Sequence, residues 1–107
     1  MLIETPYKNG DTVTFKLNSG EELVGKLQEE KADSFMIKTP LTLVMNGQGL
    51  GLQQYLFTGE PDKAYEFKKS SITVITKTIK QFADVYQQQT SNIVMAPAGL
   101  GDALKTK

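Results

Sequence analysis

Residues 12–27 alternate apolar and polar side chains on both sides of a short turn, and that period of two commits this part of the chain to a half-buried β-ribbon. Val13, Phe15 and Leu17 alternate with Thr12, Thr14 and Lys16. Asn18-Ser19-Gly20 supplies the turn, with Gly20 able to take a positive φ. Leu23, Gly25 and Leu27 then share one face of a second strand. A glycine inside a strand marks a bulge, a sharp bend or a close backbone approach, so Gly25 is predicted to mark the bend of a strand around a small barrel.

Downstream, Glu29-Glu30-Lys31-Ala32-Asp33 makes the next turn and Ser34–Thr39 a third strand. Pro40 has no N–H for a ladder, so it belongs at an edge or a bend. Two apolar runs, 41–45 and 50–57, flank Asn46-Gly47-Gln48-Gly49, a hairpin signal inside an excursion spanning 40–63. Ala64–Phe67 begins a short strand, and β-branched Ile72–Thr76 is the most strand-like segment of the chain. From Thr78 the period changes: Ile79, Phe82, Ala83 and Tyr86 fall at helical spacing, which predicts an amphipathic helix over 78–90. Its apolar stripe is expected to cap an open barrel end rather than recruit a partner, though in an assembly it could do both. The segment 93–107, with Pro97, Gly99 and Gly101, is expected to be an extended tail, leaving 1–92 as one domain.

A chain of 107 residues builds one domain with a modest core. It contains no histidine, cysteine or arginine, which removes the commonest general base, the commonest metal ligands and any disulfide framework. An enzyme is therefore not expected, and neither is a metal, a cofactor or a small-molecule substrate. Glu21-Glu22 and Glu29-Glu30 are better placed as solvated strand ends than as an acid–base pair. The first six residues lack the apolar run of a signal peptide, and no stretch is long and apolar enough to span a membrane, so a cytoplasmic protein is expected. Net charge is zero, yet residues 1–66 carry six lysines against ten carboxylates and residues 67–107 six lysines against two. That asymmetry marks a nucleic-acid face if the halves of the chain map onto faces of the fold, and says nothing about binding if they do not.

Five strands and a helix in this length suggest a mainly β protein built as a small, strongly bent open barrel, SH3-like or OB-like. The finer pattern resembles the Sm-like family. Phe15, Leu17, Gly20, Gly25 and Leu27 fill the places of its first motif, and Asp33-Ser34-Phe35-Met36-Ile37 resembles the acidic–aromatic–apolar continuation after a longer turn. Phe67-Lys68-Lys69 followed by Ser70–Ile75 lines up with the short second motif, where the Hfq branch has Tyr-Lys-His. The likeness covers residues 11–39 and 64–78. Ile37 stands where the family has asparagine, Lys68-Lys69 where most members have arginine-glycine, no helix is visible before Asp11, and the 40–63 excursion is long.

The resemblance implies a homo-oligomeric ring joined through edge strands, and ring closure would cover an edge as apolar as Ile72–Ile75. It also implies non-catalytic binding of A- or U-rich single-stranded RNA, with Phe35 as stacking platform, Lys68 and Lys69 as cations at the pore, and Ser34 and Ser70 as hydrogen-bond partners. Against those roles stand a core aromatic for Phe35 and a solvated turn for the lysines. Tyr55 and Phe57 are assigned to packing or protomer contacts. A ring serving as a structural or adaptor component, with the hairpin and helix as contact surfaces, is the alternative function.

Overall fold

Strand periodicity carries through the computed structural model, which describes residues 7–60 and 62–91. The expected tail lies outside the described residues. Six strands form one antiparallel sheet: β1 (Thr12–Leu17), β2 (Glu22–Glu30), β3 (Ser34–Asn46), β4 (Gly49–Gln54), β5 (Ala64–Lys68) and β6 (Ile72–Lys77). Their order is β4–β3–β2–β1–β6, and β5 also pairs with β3. Gly20 does take a left-handed conformation, φ 109°, in the turn between β1 and β2.

The sheet wraps around a core without closing. Phe15, Leu23, Leu27, Phe35, Ile37 and Phe67 pack into one buried cluster contributed by four strands. In a flat sheet β1 and β5, separated by β2 and β3, would lie about 14 Å apart. The Phe15 and Phe67 rings instead meet edge to face, 5.0 Å between centroids. Gly25 sits at the tightest point of this wrap, because a Cβ there would overlap Cγ2 of Ile37 on β3.

The hairpin expected within 40–63 is present, β3 and β4 pairing antiparallel on either side of the Asn46–Gly49 turn, but its first strand is a continuation of β3 rather than an element of its own. β3 runs unbroken for 13 residues, its first half paired with β5 (Ser34↔Lys68 to Lys38↔Ala64) and its second with β4 (Leu41↔Gln54 to Asn46↔Gly49). The change of partner falls at Thr39-Pro40, where Gly25 alone on β2 is matched by two residues on β3. Pro40 cannot donate to a ladder, and here the ladder is interrupted. Thr39 takes φ 49°, a left-handed conformation that is strained for a β-branched residue. Its N–H donates to the Lys63 carbonyl at 3.1 Å, and Tyr55 N–H donates to the Pro40 carbonyl at 3.2 Å.

A helix, α1, covers 80–91. It does not cap a barrel end. Successive side chains of β2 point to opposite faces, so Leu23 and Leu27 enter the main core while Val24 and Lys26 face outwards. Val24, Leu41 and Leu52 make an apolar patch on that outer face, and Tyr86 of α1 completes it as a second buried cluster. The Tyr86 hydroxyl shares its proton between the Lys38 and Thr39 carbonyls, at 2.8 and 2.9 Å. The Gln89 side-chain amide donates to the Leu52 carbonyl at 2.7 Å. The apolar surface needing cover was thus on the outer face of the bent sheet. Among the described residues, no helix is long and apolar enough to cross a membrane.

Candidate nucleic-acid interface

β5 ends at Lys68, and a single 3-10 turn, Lys69–Ser71, leads directly into β6. Two other turns hold it. Lys69 N–H donates to the Asp33 carbonyl at 2.9 Å, from the β2–β3 turn. From the β1–β2 turn, the Asn18 side-chain amide donates to the Ser70 carbonyl at 2.7 Å and Asn18 N–H to the Ser71 carbonyl at 2.9 Å. Thr73 Oγ1 donates back to Asn18 Oδ1 at 2.6 Å, and Ser71 Oγ donates to the Lys68 carbonyl at 2.7 Å. Every residue of this turn therefore has its backbone tied, which sets the directions of its side chains.

The five residues expected to contact RNA are brought to one end of the sheet, with different roles. Ser34 pairs with Lys68, and Phe35 with Phe67, across β3 and β5. Phe35 is only 3% exposed and belongs to the core cluster. Lys69 Nζ lies 5.1 Å from the centroid of its ring, and Tyr7 packs edge-on at 6.0 Å. No face of this ring is open to a base, so stacking on it would require Lys69 and Tyr7 to move. Lys69 is also committed, its Nζ 2.7 Å from Glu30 Oε2. Ser34 is fully buried and donates to Glu66 Oε2 at 2.7 Å. That hydrogen bond, with the charges of Lys31 and Lys68, holds the Glu66 carboxyl below its ordinary value. Lys68 and Ser70 are exposed, and Lys68 has no ion-pair partner among the described residues.

Two carboxylates take parts at this end that the sequence did not assign them: Glu30, expected as a solvated strand end, pairs with Lys69 across 39 positions, and Glu66 is the acceptor for Ser34 across 32. Strand alternation shows such residues as exposed but not which lysine or serine they meet. Tyr7 is affected as well. Burial and the Glu30 charge raise its pKa, with Lys69 opposing. What the arrangement offers chemically is one free ammonium and one free hydroxyl per chain, suited to a phosphate, beside carboxylates that reduce the local positive potential. Among the described residues, no group of three or more metal-ligating side chains is placed to hold an ion. No protein-family model matches the chain, and no curated protein matches it.

Proposed function

We propose that this chain is a divergent Sm-like protein that assembles into a homo-oligomeric ring and binds A- or U-rich single-stranded RNA without catalysis. The observation carrying this reading is the strand order β6–β1–β2–β3–β5, wrapped around one core, with a tight turn between the two terminal strands. It leaves β6 at one edge and β5 at the other, each paired with a single strand among the described residues. One protomer's β5 can then continue the sheet into a neighbour's β6, repeating the 69–71 turn around the ring. Lys68 and Ser70, exposed on or beside that turn, are the RNA contacts, and Lys69, Phe35 and Ser34 support them from beneath.

The test is fluorescence anisotropy of labelled oligo-U and oligo-A RNA at low and physiological salt, comparing the wild type with Lys68→Ala and with Lys68→Ala/Lys69→Ala. Saturable, salt-sensitive binding that Lys68→Ala weakens and the double variant loses is expected. Absence of binding at low salt would leave the second reading, an assembly ring. The burial of Phe35 and the Lys69–Glu30 pair favour that alternative, because they withdraw an aromatic and a cation from any RNA surface.

A further inference from the structure

On the outer face, the row of side chains crossing the sheet through Lys26 reads Thr12, Lys26, Lys38, Ala64. Two lysines are direct cross-strand partners there, and no carboxylate stands beside them in the row. Like charges directly opposite one another destabilise a sheet unless something of opposite sign comes between them. Neither lysine has an ion-pair partner among the described residues. Both line an open cavity of about 360 Å³ bordered on its other side by α1, and both also line a neighbouring open cavity of about 280 Å³. Gln87 and Ser91, one helical turn apart on α1, line the same cavity. Among the described residues neither the Gln87 amide nor the Ser91 hydroxyl makes a side-chain hydrogen bond. No aspartate or glutamate lines either cavity.

The geometry points to a binding site for a dianionic phosphate group between the β2–β3 ladder and α1, held by Lys26 and Lys38 with Gln87 and Ser91 as neutral donors. Two ammonium charges match the charge of −1.5 to −2 that a phosphate monoester carries near pH 7, as a general property of that group. Its oxygens can accept from several donors at once, which a carboxylate does less well. The cavity volume accommodates a mononucleotide. This site is separate from the 69–71 turn and does not depend on the RNA reading.

The experiment is a titration of the isotopically labelled full chain, followed by amide and side-chain NMR shifts at constant ionic strength. The probes are inorganic phosphate, a nucleoside monophosphate, and a short oligonucleotide with either a 5′-phosphate or a 5′-hydroxyl. Saturable shifts centred on Lys26, Lys38, Gln87 and Ser91 are expected, with Lys26→Gln or Lys38→Gln alone weakening binding about tenfold and the double variant abolishing it. Lys68→Ala/Lys69→Ala should bind inorganic phosphate and the nucleoside monophosphate as the wild type does, so failure here and failure of the RNA reading are distinguishable. Preference for the monophosphate or inorganic phosphate assigns a free small anion, whereas binding only of the 5′-phosphorylated oligonucleotide assigns a nucleic-acid end. Non-saturating shifts that chloride reproduces, or saturable binding that persists in Lys26→Gln/Lys38→Gln, would overturn the site. A spectrum otherwise unchanged in that variant excludes misfolding as the cause of loss.

Discussion

Gly25 shows how one missing side chain sets the curvature of the sheet. Any Cβ at this position meets Ile37 Cγ2 across the β2–β3 pair, within the strand that carries the bend. Gly25→Ala should destabilise the fold by about 1–3 kcal/mol, as overpacking a tight core does. Ile37→Ala, which empties a fully buried site, should lose about 2–5 kcal/mol. In the Gly25→Ala/Ile37→Ala variant the added methyl enters space that the removed Ile37 Cγ2 vacates, so the combined loss should be smaller than the sum. Urea unfolding of the four proteins measures this; strict additivity would mean that the glycine serves the bend through backbone freedom rather than through space.

The docking of α1 on the outer face rests on Tyr86, which is 3% exposed and satisfies two carbonyls at the strained Thr39 corner. Tyr86→Phe keeps the ring but leaves those buried acceptors without a donor, a loss of about 1–3 kcal/mol near neutral pH. Burial holds the Tyr86 phenol well above its ordinary value of 10.0. A pKa raised on folding means that the stabilisation is complete below the unfolded-state value and is lost as pH rises through the folded one. Wild-type stability should therefore fall above about pH 10 faster than that of Tyr86→Phe, and the gap between them should narrow. Stability curves from pH 8 to 11 check the sign. Elements with local signals were legible in the chain: β1, β2 and β6 from alternation and β-branching, α1 from its change of period, Gly25 from its place inside a strand. The passage of β3 through Pro40 was not legible, because proline ordinarily ends a strand and only the change of partner from β5 to β4 makes room for it here. Nor was the face on which α1 docks, since Val24 and Leu41 become an outward apolar patch only once the bulge opposite Gly25 sets the register. Within the candidate site Ser34, Phe35, Lys68 and Lys69 were grouped by the resemblance alone, and the β3–β5 ladder sets Ser34 opposite Lys68 and Phe35 opposite Phe67, whereas Lys69–Glu30 is a contact between distant turns with no local trace.

At the scale of the whole molecule, a chain of zero net charge with one free ammonium at the 69–71 turn has little pull on a polyanion, so RNA binding of the proposed kind requires the turn to be repeated. Repetition depends on the free edge of β6, which exposes 54% of Val74. Val74→Glu places a carboxylate across β1 from Lys16, a favourable cross-strand pair that leaves the single chain folded. The same charge blunts the edge, and the opposite edge of the molecule carries the exposed Glu66, so the two would repel in a ring. The expected outcome is a wild-type oligomer that Val74→Glu converts to a monomer with unchanged far-ultraviolet circular dichroism, measured by size-exclusion chromatography with light scattering. RNA anisotropy should be lost in that monomer although Lys68, Lys69 and Ser70 are intact, whereas phosphate binding at Lys26 and Lys38, which lies within one chain, should survive. A wild type that is already monomeric would remove the ring, and a monomeric Val74→Glu that binds RNA as tightly as the wild type would show that the turn acts alone.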